Sequence, residues 1–135
     1  MNLLFDWLNN ADPSIKYLFF RDILHYDKTL QDRVQDEILI RGWGHDLSLY
    51  QKQDGYWEGY YSPKWISTHY SLQTLMCLNY PKTDAIQFAV NRILMEEKCK
   101  DSGISPSVTH NESDCERVFM GLTPKNLINT DCIGR

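Results

Sequence analysis

Long apolar runs are missing from these 135 residues. No stretch approaches the roughly 20 consecutive apolar residues that a bilayer-crossing helix needs, so a transmembrane helix is excluded. Basic charge is scarce as well. The 14 Lys and Arg are scattered among 18 Asp and Glu, for a formal net charge of −4. With no basic stripe to follow a phosphate backbone, nucleic acid is excluded as a partner. The opening Met1-Asn2-Leu3-Leu4-Phe5-Asp6 lacks a basic n-region, and Asp6 breaks its apolar run. It reads as the start of a helix rather than an export signal, which implies a cytoplasmic setting. The four cysteines are then expected as reduced thiols, with Cys77 in the core. Nowhere do polar and apolar residues alternate with a period of two, so no strand is expected.

What is present is the composition of a soluble globular chain, with 42% hydrophobic and 24% charged residues. The expected fold class is all-α, built of antiparallel helical hairpins. A short helix over 2–10 carries Leu3, Leu4, Trp7 and Leu8 on one side. Asp12 caps the next helix and Pro13 suits its first position, which needs no amide donor. That helix, 13–25, carries Ile15, Leu18, Phe19 and Ile23 and also Tyr17, Phe20 and Leu24, an apolar stripe wide enough to pack on two sides. Leu30, Val34 and Ile38 mark a third helix over 29–41, with Gly42 as its stop. A short fourth helix over 44–52 and a loop from Gln53 to Tyr61 follow. Ser62-Pro63 repeats the cap-then-proline pattern and predicts a helix to Asn79, with Trp65, His69, Leu72, Leu75 and Met76 inward. Tyr80-Pro81-Lys82-Thr83 breaks it, and Ile86, Ala89, Val90, Ile93 and Leu94 define a last helix over 84–98. Residues 1–99 thus form the helical domain. Residues 100–135, rich in Ser, Gly, Asn, Asp and Thr, read as an irregular tail or an incomplete next repeat.

Aromatic residues reach 13% and bunch between Trp43 and Tyr80. Within that bunch lies Gln51-Lys52-Gln53-Asp54-Gly55-Tyr56-Trp57. Gly55 permits the positive φ of a tight turn, and the Trp57 ring can fold back onto the Gln51 amide. This helix-Gln, Gly-x-Trp turn resembles the repeat of squalene and hopene cyclases. Asp12 to Tyr17, Arg21 to Leu24 and Ser62 to Tyr70 resemble bacterial proteins with prenyltransferase or squalene-oxidase repeats. The resemblance covers about residues 3–98 and implies one side of an α/α toroid of the terpenoid-cyclase and protein-prenyltransferase superfamily. It also implies an apolar or isoprenoid-like small molecule as ligand.

The motifs that give that superfamily its chemistry are absent. There is no Asp-rich protonation motif, no Asp-Asp-x-x-Asp magnesium site and no clear zinc set. Ser113-Asp114-Cys115-Glu116 does not match the first of these. The helical hairpins are also too few to close a ring, so the expectation is a catalytically incomplete portion with no cofactor.

Among candidate sites, His69 has two readings. It is a hydrogen-bonded core histidine, or the polar group at the mouth of an aromatic pocket formed with Tyr60, Tyr61, Trp65 and Tyr70. Asp54 and Glu58 are either a carboxylate pair or, on the plainer reading, turn residues, since Asp-Gly is an ordinary turn dipeptide. Cys99, His110, Cys115 and Cys132 are spaced 11, 5 and 17 positions apart. That spacing lacks the close ligand pairs of zinc knuckles, so no metal is expected. Two further function classes stay open. One is a HEAT-like module whose 13–41 hairpin binds a protein partner. The other is an enzyme completed by homo-oligomerisation.

Overall fold

The computed structural model describes residues 3–96 and Ile104. Among them the chain is all-α: α1 Leu3–Asn9, α2 Pro13–Leu18, α3 Lys28–Glu37, α4 Trp43–Ser48, α5 Thr68–Cys77 and α6 Asp84–Glu96. Residues 97–103 and 105–135, and with them the expected tail and the Cys99, His110, Cys115 and Cys132 set, lie outside the described residues. No described helix is long and apolar enough to cross a membrane. The described chain divides into two compact units. One comprises residues up to Tyr50 together with Leu75–Pro81, and the other Gln51–Thr74 together with the chain from Lys82.

In the first unit, Asp12 caps α2 as its sequence position predicts: its Oδ1 accepts from the Ser14 amide at 2.9 Å, and Pro13 opens the helix. The helix does not continue uniformly to residue 25. At Phe19–Ile23 it widens into a π turn, closed by the Leu24 amide donating to the Phe19 carbonyl at 3.0 Å. The wider turn shifts later side chains around the axis relative to a 3.6-residue repeat. Phe19 is buried, but Ile23, assigned to the apolar stripe, is exposed.

Asp27 caps α3 through the Leu30 amide. Val34 and Ile38 are buried with Tyr17, and Leu18, Phe20 and Tyr80 pack around them. Asn79, also buried, joins this core by hydrogen bonds. Its carbonyl accepts from Gln35 Nε2 at 3.0 Å, and its Oδ1 accepts from Arg21 Nη1 at 3.3 Å. Gly42 does not end α3, which stops at Glu37. It lies at the N-cap of α4 with φ 85°. A Cβ there would meet the Asp12 carboxylate and come within 2.7 Å of Pro13 Cδ. The apolar side of α1, by contrast, is largely exposed, although Phe5 meets Phe19 edge-on at 5.3 Å.

The second unit is organised by α6, whose buried Ile86, Ala89, Val90 and Ile93 recur at helical spacing. The expected helix over 62–79 is shorter at both ends. Ser62-Pro63 does not start it, and Trp65 has φ 76°, which is not helical. The chain instead doubles back, and the first-turn amides of α5 find partners in the preceding loop. Thr68 N donates to the Gly59 carbonyl at 3.0 Å and His69 N to the Tyr60 carbonyl at 2.9 Å. These bonds satisfy donors that a helix start leaves open, so the helix begins there. Trp65, placed on the inward face by periodicity, is therefore outside the helix and 72% exposed. Cys77, expected in the core, is exposed at the other end of α5.

Candidate functional site

The loop between α4 and α5 has two jobs, and the Gln51–Trp57 turn does the first. The Lys52 amide donates to the Tyr56 carbonyl at 2.8 Å, and the Gly55 amide donates to the Lys52 carbonyl at 2.9 Å. Gly55 takes φ 89°, the positive value expected of it, and a Cβ there would lie 2.7 Å from the Phe88 ring. Gln51 ties the turn down with its side-chain amide, donating to the carbonyls of Gly55 and Ala85 at 2.9 Å each. The Trp57 ring is buried, and its backbone amide donates to Thr68 Oγ1 at 3.1 Å.

Asp54 is a turn residue. Its Oδ1 accepts from the Tyr56 amide at 3.1 Å, and its Oδ2 lies 2.9 Å from Arg92 Nη1. The Arg92 guanidinium beside it, together with that amide, holds the Asp54 carboxyl below the usual carboxylate range. Glu58 pairs separately with Lys52 Nζ at 2.8 Å. The two carboxylates are thus neutralised by different cations and do not form an acid–base pair.

Arg92 is the residue that sequence reasoning missed. It also donates from Nη1 to the Asp54 carbonyl at 2.8 Å and places its guanidinium 3.9 Å from the centre of the Tyr56 ring. Its only trace in the sequence is a cation on the flank of α6, which nothing links to a turn some forty positions earlier. Thr68 was missed for the same reason.

The second job of the loop is to gather aromatic rings. Because the Gly59 and Tyr60 carbonyls accept from the amides of residues 68 and 69, the segment 60–65 lies over the first turn of α5. All five aromatic and histidine candidates come together there. The ring of His69 lies 6.3 Å from Tyr60, 5.4 Å from Tyr61 and 5.0 Å from Tyr70. Tyr61 and Tyr70 are 5.5 Å apart, and the Tyr70 hydroxyl donates to that of Tyr61 at 3.1 Å. Trp65 stacks at a tilt on Tyr70, 5.2 Å away, and Lys64 Nζ lies 4.7 Å from the centre of the Trp65 ring.

The cluster is graded in depth. Tyr60 and His69 are buried, Tyr61 and Tyr70 are half-buried, and Trp65 is open. Burial lowers the His69 pKa below its ordinary value, which favours the neutral ring. The arrangement offers π faces, one neutral imidazole and a phenol pair, a set suited to holding an apolar molecule by its faces. No group of three or more His, Cys, Asp or Glu among the described residues could hold a metal ion. No protein-family model, curated protein or solved structure matches this chain.

Proposed function

We propose that this chain is a ligand-binding protein of the α/α-toroid type, with an apolar or isoprenoid-like molecule held at the aromatic cluster. The observation that carries the reading is the convergence of Tyr60, Tyr61, Trp65 and Tyr70 around His69. Aromatic faces offer large apolar area at low conformational cost, and a single neutral imidazole supplies a polar group for orientation. The Gln51–Gly55–Trp57 turn supports the toroid part of the proposal, since Gln51 bonds the Gly55 carbonyl and the Trp57 ring that closes the motif is buried. The proposal is for binding alone. The sequence holds neither an Asp-rich acid motif nor a magnesium-binding Asp cluster.

The test is a titration of the full chain with farnesol, read by isothermal calorimetry. Saturable binding is expected, with Trp65→Ala weakening it at least about tenfold, the scale of one buried aromatic contact. Trp65 is exposed, so that variant keeps the fold. Absence of saturable binding, or affinity unchanged in both Trp65→Ala and Tyr61→Ala, would remove the proposal.

A further inference from the structure

Two tryptophans outside the aromatic cluster leave most of their surface open: Trp7 is 62% exposed and Trp43 is 58% exposed. A free indole is a large apolar area to leave in water, and here both line one open groove of about 470 Å³ within the first unit. The groove runs between α1, the start of α2 and the start of α4. Ile15 supplies a further apolar wall, and Asp6 and Asp12 supply two carboxylates. The remaining lining residues are uncharged, and none of the lining residues is cationic.

The groove is held in place by hydrogen bonds from backbone amides to one side-chain carboxylate. Asp12 Oδ1 accepts from Ser14 N at 2.9 Å, and its Oδ2 accepts from Trp43 N at 2.8 Å. One carboxylate therefore fixes the first residue of α4 against the first turn of α2. Its partners are neutral amides at the first turns of α2 and α4, and no ion pair engages it among the described residues. The Lys16 cation one residue past Ile15 is engaged elsewhere, with Glu37 at 3.1 Å and over the Phe20 ring.

Indole faces attract cations through the ring quadrupole, and tryptophan is the strongest of the aromatic residues in this respect. A nearby carboxylate adds Coulomb attraction. In an open groove a compact, strongly hydrated ion gains little, because it keeps its water. A cation whose charge is spread over methyl groups loses little hydration and presents apolar surface to the rings. We infer that the groove between Trp7 and Trp43 binds a small quaternary or alkyl-substituted ammonium compound, with the cationic head against the indoles and the Asp6 and Asp12 carboxylates. The charge complementarity of the lining selects this occupant over a neutral apolar one. The site shares no residue with the aromatic cluster, so its fate is independent of the proposed function.

The experiment titrates the full chain with choline and, in parallel, with 3,3-dimethylbutan-1-ol, its uncharged isostere, by isothermal calorimetry. Choline is expected to bind saturably and the isostere at least about tenfold more weakly. Trp7→Ala and Trp43→Ala should each weaken choline binding about tenfold, within the range of a partly desolvated cation–π contact. Asp6→Asn, at an exposed side chain, reads the charge without disturbing packing and should weaken binding about threefold. Tyr50→Ala, an exposed aromatic outside both the groove and the aromatic cluster, should leave it unchanged, and circular dichroism should show the same helical signal throughout. No saturable binding of choline, equal affinity for the uncharged isostere, or affinity that survives both tryptophan substitutions overturns the inference. Preference for a trimethyllysine peptide over choline by more than about tenfold overturns the small-molecule assignment and makes the groove a peptide-docking surface.

Discussion

Arg92 braces the Gln51–Trp57 turn from outside it. It holds the Asp54 carboxylate and the Asp54 carbonyl, covers the Tyr56 ring and pairs with Glu96 at 2.8 Å. These neighbours favour the charged guanidinium and raise its pKa. In return Arg92, ahead of the Tyr56 amide, lowers the pKa of Asp54. A carboxyl whose folded-state pKa is depressed stabilises the fold at pH values above its unfolded pKa. That contribution fades as pH falls through the lowered value. Arg92→Ala should therefore return Asp54 toward the ordinary carboxylate range in an NMR titration of its side-chain carboxyl. An unmoved titration would show that the Tyr56 amide sets the value. Trp57 gives the larger effect on stability. With the ring buried, Trp57→Ala should cost ~3–5 kcal/mol in a urea titration. A loss under about 1 kcal/mol would mean that the ring is not part of the packed core. The positive φ of Gly55 and the turn role of Asp54 were legible in the sequence because both depend on chain-local chemistry. Thr68 and Arg92 were not, since their partners are set by how the chain returns.

At the level of elements, the same sequence signal succeeded once and failed once. Asp12-Pro13 begins α2 because the capping carboxylate reaches the Ser14 amide, while its second oxygen takes Trp43 N. Ser62-Pro63 begins nothing, because the carbonyls of Gly59 and Tyr60 already satisfy amides further on and set the start of α5 at Thr68. A cap residue offers an acceptor, and the tertiary path decides whether an amide meets it. Asp12→Ala removes two acceptor contacts at once and should destabilise the fold by about 1–2 kcal/mol, the upper range for a helix cap. Asp12→Asn should retain most of that stability, since its one side-chain carbonyl can still cap α2. Chemical denaturation of the two variants, followed by circular dichroism, makes the comparison. Equal loss in both would show that charge, and not the acceptor geometry, carries the cap. The π turn at Phe19–Ile23 belongs to this scale as well: no proline or glycine announces it, and it moved Ile23 from the expected stripe into solvent.

For the whole molecule, pH acts through an acid and a base whose lowered pKa values work in the same direction. Glu37 lies below the usual carboxylate range even though burial opposes this, because Lys16 and Arg41 together outweigh the desolvation. Its contribution is complete near neutrality and lost only in acid. Burial lowers the pKa of His69, so its stabilising contribution is complete above the ordinary histidine value of about 6.5 and is lost as pH falls through the lowered one. The chain should thus be less stable toward urea at pH 5 than at pH 7.5, and His69→Gln should flatten that difference. A His69→Gln profile as steep as the wild type would assign the loss to other groups. The helical class and the core positions Val34, Ile38, Leu72, Ile86, Ala89, Val90 and Ile93 were determined by sequence alone. Their apolar spacing matches the helical repeat and needs no knowledge of the partner surface. Periodicity also misplaced Trp65 and Cys77, because it treats a helix as continuing past the point where the chain turns. The meeting of Tyr60, Tyr61, Trp65, His69 and Tyr70, the reach of Arg92 to Asp54, and the groove between Trp7 and Trp43 were decided only in three dimensions. Each joins residues from different segments, and a one-dimensional pattern carries no information about which backbone carbonyl a returning amide will find.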